Sequence, residues 1–251
     1  MKRIGLLGCG KLGGVIADAL LSGAVPGCEL AVIHARSPES ARRLSQRYPC
    51  PIAASMDALA RQQPDYVMEA ASPQAVWAFA PRILSFADLI VLSTSALGDP
   101  TFRRDMERLA EAADRHIYLA HGVIGGLDIA GAAAMMGGVS ASLTKRKPPA
   151  GSSRSDAALN ALADRFSGTA EDALRLYPHL LNVGVSLGMA VGDPAAVQVR
   201  VEPGDCVDFT VDCSGAFGQG RFYTRLGSSG PELAAWSALA MLKRLTSRIT
   251  F

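Results

Sequence analysis

The chain has 251 residues, 49% of them hydrophobic, with 25 Lys and Arg against 23 Asp and Glu and a net charge of +2. That length suits one large or two small globular domains with an ample core. The balanced charge excludes a nucleic-acid footprint or a disordered tail, and no stretch approaches the roughly 20 apolar residues of a membrane span.

Lys2 and Arg3 precede an apolar run, but glycines break it, so no signal peptide is expected. Ile4–Leu7 reads as a buried strand and Gly13–Leu21 as the helix after it. Between them lies Gly8-Cys9-Gly10-Lys11-Leu12-Gly13. In this strand-to-helix setting the first glycine makes a tight turn, the second lets the backbone approach a pyrophosphate, and the third lets helix and strand pack closely. The helix N-terminus adds unpaired N–H groups and a positive dipole end. Gly8, Gly10, Lys11, Leu12 and Gly13 are therefore expected to bind a dinucleotide.

Leu30–His34 is the second strand, followed by a helix over Pro38–Arg47 with Ser37 as its N-cap. Cofactor choice is made here. A carboxylate suits an adenosine ribose, whereas an arginine beside a hydroxyl suits a 2′-phosphate. No acid precedes Glu39, so Arg36 and Ser37 are read as a phosphate clamp. NADP is the preferred cofactor and NAD a possible one; the bland alternative is that Arg36 is a solvated loop cation.

Farther on, Met56–Arg61 reads as a short helix, Tyr66–Glu69 as a strand, Pro73–Phe79 as a helix, Leu89–Leu92 as a strand, Phe102–Ala113 as an amphipathic helix and Ile117–Leu119 as a strand. This alternation implies an α/β fold, a doubly wound parallel sheet of the Rossmann type. Near residue 120 the texture changes. Gly122–Met136 is rich in glycine and alanine, Val139–Thr144 alternates like a strand, and residues 145–156 look too basic and Pro/Gly/Ser-rich for a regular element. Helical patterns follow at Ala157–Phe166, Ala170–Tyr177 and Asn182–Val191. Strands are expected at Val197–Val201, Cys206–Cys213 and Gly220–Leu226, and a last apolar helix at Glu232–Leu245. The expected organisation is a dinucleotide domain over 1–119, an α+β substrate and dimerisation domain over 120–230, and a C-terminal helix, 231–251, packing back on the first. Five scattered cysteines without metal or disulfide spacing point to a reduced, cytoplasmic protein with no metal site.

Several motifs occur in a telling order: Glu69-Ala70-Ala71-Ser72-Pro73, Ser93-Thr94-Ser95-Ala96-Leu97-Gly98-Asp99, His121-Gly122-Val123-Ile124-Gly125-Gly126-Leu127-Asp128, Thr144-Lys145-Arg146-Lys147-Pro148-Pro149 and Asn182-Val183. In order and spacing they resemble the L-aspartate dehydrogenase family over essentially the whole chain. The resemblance implies a nicotinamide-dependent amino-acid dehydrogenase or imine reductase, a homodimer, acting on a small amino acid, 2-oxo acid or imine. It places Ala71, Ser72, Pro73, Val123 and Asn182 at the cofactor. Asn182 is also a plausible helix N-cap, a role compatible with that contact. Gly122 is a substrate-lining backbone position. Arg146 and Lys147 are either solvated charges or carboxylate anchors beside a stiffened Pro-Pro pair.

The second half departs from the family pattern. Counting back from Gly215-Ala216-Phe217-Gly218, the preferred anchor, the position of the family's acid/base histidine falls on Phe209 and that of its asparagine on Val207; counting from Glu202-Pro203 instead puts them on Thr210 and Asp208, and neither count yields a histidine. Phenylalanine cannot transfer a proton. Two histidines are new relative to the pattern, His121 and His179, and each is either a structural polar residue or a relocated acid/base. The apolar Val207 and Phe209 suggest a substrate larger or less polar than aspartate. The competing reading is a catalytically inactive NADP-binding homologue with a sensing or assembly role.

Overall fold

In the computed structural model, residues 1–148, 166–176, 182–193 and 196–250 are described. The chain divides into two compact units, Met1–Gly122 with Glu232–Phe251, and Val123–Pro231.

The first unit is built on six parallel strands: β1 (Lys2–Leu7), β2 (Cys28–His34), β3 (Ile52–Ala53), β4 (Tyr66–Glu69), β5 (Asp88–Val91) and β6 (Ile117–Leu119). Their spatial order is β3-β2-β1-β4-β5-β6. The strand order reverses beside β1, and in such sheets the crevice outside the carboxyl ends of the strands takes the ligand. Five helices alternate with the strands: α1 (Lys11–Leu21), α2 (Pro38–Arg47), α3 (Met56–Ala60), α4 (Pro73–Ile83) and α5 (Pro100–Ala112). Central strands buried on both faces read as near-continuous apolar runs. In β1, Ile4 and Leu6 join the core beneath α1, while Leu7 joins the core on the other face with residues of α3, α4 and α5.

The second unit holds α6 (Leu127–Met135), β7 (Val139–Lys147), β8 (Phe166–Thr169), α7 (Ala170–Leu176), α8 (Asn182–Ala190), β9 (Val197–Pro203), β10 (Asp208–Gly215) and β11 (Gly218–Arg225). The sheet order is β11-β10-β7-β9-β8, and β7 and β9 form its parallel pair. After a 3₁₀ turn at Gly230–Glu232 comes α9 (Leu233–Thr246), which belongs to the first unit. There Ala235, Ala238, Leu239 and Leu242 are buried in one core with Ile16, Ala17 and Leu20 of α1.

Most elements stand where the sequence places them, and the differences have physical reasons. Residues 145–147 are strand, not loop: β7 runs on to Lys147, zipped to β9 by Lys147↔Pro203 and to β10 by Arg146↔Asp208. Cross-strand carboxylates meet its charge, with Arg146 Nε 3.2 Å from Glu202 Oε2. Helix α4 continues past Phe79 to Ile83 despite Pro81. The strand β3, of 2 residues, carries too short a pattern to read, and β8, Phe-Ser-Gly-Thr, has one apolar residue and no alternation. Phe166 opens β8 and does not end a helix; the rest of the helix expected over Ala157–Phe166 lies outside the described residues. Among the described residues, no helix is long and apolar enough to cross a membrane.

Candidate cofactor cleft and candidate substrate face

In the first unit the turn after β1 is shaped by contacts that only glycine permits. Gly8 has φ +92°, and a Cβ there would stand 2.6 Å from Ala71 Cβ. A Cβ on Gly13 would meet the Gly8 carbonyl oxygen at 2.2 Å, so turn and helix touch backbone to backbone. At Gly10 a Cβ would meet nothing within 4 Å; the position faces open space that a side chain would fill. Gly10 is the N-cap of α1, which has no side-chain cap and no acid in its first turn. Its first N–H groups are therefore directed at an anion from outside the helix. These features fit a dinucleotide pyrophosphate.

The turn forms one wall of a cleft of about 530 Å³. Ala70, Ala71 and Ser72 from the end of β4 form a second wall, and Ala78 and Phe79 of α4 continue it. His34, Ala35 and Arg36 at the end of β2, with Ser40 and Arg43 of α2, complete the cleft. The His34 and Phe79 rings lie 5.5 Å apart and tilted by 54°. Burial holds the His34 imidazole below its ordinary pKa, so it is neutral at pH 7. Neither Arg36 nor Arg43 has a carboxylate partner among the described residues, and no acid lines the cleft.

A buried carboxylate braces the second wall. Glu69 is fully buried at the end of β4. Its Oε1 accepts from the Ala71 N–H at 2.7 Å and from the Ser93 hydroxyl at 2.9 Å, and its Oε2 accepts from the Ser93 N–H at 2.9 Å. Burial raises its pKa and these donors oppose the rise, leaving it above the ordinary value. Ser72 Oγ accepts from Ala75 N at 3.2 Å to cap α4, with Pro73 in the first turn.

Of the sequence-expected cofactor residues, Gly8, Gly10, Arg36, Ala71 and Ser72 meet in this cleft. Gly13 supports it from behind, and Pro73 is buried at the start of α4. Lys11 is exposed, and Leu12 packs toward the core. Ser37 is the N-cap of α2, as expected: its hydroxyl accepts from Ser40 N at 3.2 Å and is bonded to Ser40 Oγ at 3.1 Å, while Ser40 and Arg43 line the cleft. The sequence reading missed Arg43, although the spacing Ser40–Arg43 puts both on one helical face. Gly122, expected to line substrate, donates its N–H to Ser237 Oγ at 3.0 Å. His121 is half-buried at the end of the first unit. His179 lies outside the described residues.

In the second unit, antiparallel β7 and β10 pair Lys145 with Phe209, Arg146 with Asp208 and Thr144 with Thr210. Neighbouring residues along a strand point to opposite faces. Phe209 is buried in a core with Leu143, Val199 and Val211. Lys145 shares that face, with Nζ 5.6 Å from the centroid of the Phe209 ring. Burial, with a contribution from Lys147, lowers the pKa of Lys145. Arg146 lies on the other face, 3.2 Å from Glu202 and 3.8 Å from Asp208, so this expected anchor already has two carboxylates. Val123 is half-buried beside the core of the second unit, and Asn182 is the first residue of α8. Gly126, at φ +80°, caps α6; a Cβ there would collide with the Phe222 ring at 2.1 Å, which explains the glycine in that motif.

A parallel sheet in this order, with a glycine turn opening a cleft at its switch point, defines a nicotinamide-dinucleotide-linked oxidoreductase. The comparisons with known proteins agree. Residues 8–120 match the family described as homoserine dehydrogenase, NAD binding domain, and residues 128–245 the one described as aspartate dehydrogenase, C-terminal. The chain is 31% identical to an L-aspartate dehydrogenase of Methanospirillum hungatei over 98% of both proteins. It is 31% identical to one of Methanocaldococcus jannaschii over 81% of this chain and 79% of that protein. In fold it is similar to a crystal structure of aspartate dehydrogenase from Thermotoga maritima, with a TM-score of 0.76, 24% identity, and coverage of 100% of this chain and 99% of that one. The chain belongs to the L-aspartate dehydrogenase family of NAD(P)-dependent amino-acid dehydrogenases.

Proposed function

We propose that the protein is an NADP-preferring dehydrogenase that interconverts L-aspartate, or a closely related amino acid, with the 2-oxo acid and ammonia through an imine. The observation that carries the cofactor preference is the cleft itself, lined by Arg36 and Arg43 and by no acid. Two guanidinium groups without carboxylate partners suit a 2′-phosphate, which a ribose hydroxyl cannot replace. The substrate class comes from family membership.

Bound nicotinamide cofactor would supply or accept the hydride at the amino-bearing carbon. The chain's own residues do the rest. Gly8, Gly10 and the first N–H groups of α1 hold the pyrophosphate, while Arg36, Ser40 and Arg43 hold the 2′-phosphate. Ala71, Ser72 and Pro73 form a wall braced by Glu69; the family resemblance assigns further cofactor contacts to Val123 and Asn182. Water addition to the imine needs a base, and departure of ammonia needs an acid. We assign that exchange to His121 or His179, the two histidines new to the family pattern. The active species is a cytoplasmic homodimer, a reading in keeping with five unpaired cysteines.

Titration with NADPH and NADH, followed by steady-state reduction of oxaloacetate and other 2-oxo acids with ammonia, tests this reading. At least tenfold tighter NADPH binding and turnover with ammonia are expected; tighter NADH binding would overturn the preference. Normal turnover in both His121→Ala and His179→Ala would remove the histidine assignment.

One observation favours a second reading. Phe209, on which the count from Gly215-Ala216-Phe217-Gly218 puts the family's acid/base histidine, is packed into the core of the second unit. A protein that binds NADPH tightly but turns over none of the 2-oxo acids would be a cofactor-binding homologue used for sensing or assembly.

A further inference from the structure

We infer that Lys145 is an anion-binding residue of the substrate site, its ammonium pairing with a substrate carboxylate. The inference rests on the dehydrogenase reading above and adds to it a residue that the motifs do not single out.

Placement is the first argument. Lys145 is the cross-strand partner of Phe209, the residue on which the family's acid/base histidine falls by the motif count. Directly opposed residues on antiparallel strands have Cβ atoms about 4.5–5.5 Å apart on one face of the sheet. Lys145 therefore reaches the ground that the missing histidine would occupy. The strand also holds it firmly: β7 is paired on both sides at this point, with Phe209 of β10 and with Val201 of β9.

Charge balance is the second argument. Among the described residues no carboxylate lies within ion-pair distance of Lys145 Nζ, and the face of the Phe209 ring lies 5.6 Å from it. The adjacent cation, Arg146, is matched by Glu202 and Asp208 on the opposite face of the sheet. On Lys145's own face the next residue along the strand is another cation, Lys147. Partial burial and this like charge together depress its pKa. A ring face attracts a cation but does not neutralise it. A half-buried charge is retained at a cost unless something pairs with it. A 2-oxo dicarboxylate or an amino dicarboxylate brings the missing negative charge. Phe209 then has a purpose beyond filling the core: it is the apolar platform on which the ammonium rests between substrates.

The test uses the full-length wild-type protein with Lys145→Met and Lys145→Arg. The Michaelis constant for oxaloacetate is measured at saturating NADPH and ammonia, with NADPH affinity and thermal midpoint measured alongside. The expected result is a KM raised at least tenfold in Lys145→Met, recovered to within about threefold of wild type in Lys145→Arg. NADPH affinity stays unchanged. A KM unchanged in Lys145→Met would overturn the inference, as would a loss of NADPH binding equal to the loss of substrate binding. Should the wild type show no turnover, the dehydrogenase reading fails separately. The inference is then judged by calorimetric titration of the NADPH complex with succinate, an inert dicarboxylate. Binding by wild type but not by Lys145→Met supports it, and equal binding or no binding by wild type overturns it. Should Lys145→Met not fold, Lys145→Gln takes its place with the same expected results.

Discussion

The cofactor cleft of the first unit and the β7–β10 face of the second are built from different materials. The cleft is made largely of backbone: a glycine turn, helix N-termini and capped loop ends. Its contacts depend on where the chain runs, and in the proposed reading Arg36 and Arg43 carry the specificity. The strand face is made of side chains projecting from a regular ladder, and its chemistry depends on which residue stands at each register position. A backbone site tolerates little change of conformation but much change of neighbouring residues. A side-chain site can keep its fold while its chemistry is rewritten, because the ladder that pairs Lys145 with Phe209 does not depend on which side chains it carries.

Substitutions can break or sharpen this contrast. Truncating Phe209 should have the largest effect, because its ring is buried in the second unit's core. Phe209→Ala is expected to lower unfolding stability by about 3–5 kcal/mol, read by chemical denaturation. A loss under about 1 kcal/mol would mean that the ring serves the site and not the core.

Next comes Glu69→Gln. The amide presents one acceptor oxygen where the carboxylate presents two, so one of the Ala71 and Ser93 donors loses its partner. The cost is expected at about 2 kcal/mol of stability, with weaker NADPH binding in the same variant. Unchanged binding would show that the second wall of the cleft needs no brace.

A smaller effect is expected from Arg43→Ala, about a tenfold rise in the NADPH dissociation constant, or about 1.4 kcal/mol. NADH binding should not change, and equal weakening of both cofactors would remove Arg43 from the 2′-phosphate. Smallest is Ser72→Ala, which deletes the cap of α4 and is expected to cost about 1 kcal/mol in thermal or denaturant unfolding.

The same contrast explains what the sequence made legible. Gly8, Gly10 and Gly13 could be read because each is demanded by local geometry within a strand-turn-helix unit. The cap Ser37 could be read because capping is a short-range rule. That Ser40 and Arg43, farther along α2, line the cleft was not legible, because it depends on where the helix packs against the sheet. Lys145 was harder still. Its meaning lies in the register of β7 against β10, which joins residues 64 positions apart in the chain. The run Lys145-Arg146-Lys147 read as a loop because three charges in a row have no apolar alternation. The acids that neutralise Arg146 arrive only from β9 and β10.

Glu69 has a consequence for motion. One carboxylate holds the amide of Ala71 after β4 and both the amide and the hydroxyl of Ser93 after β5. The two loops are therefore expected to open together, their amide protons exchanging with solvent in one cooperative step; independent exchange of Ala71 and Ser93 would show that Glu69 does not couple them. A cofactor arriving at the cleft meets a rim already fixed in shape, so little of its binding energy is spent on ordering that rim.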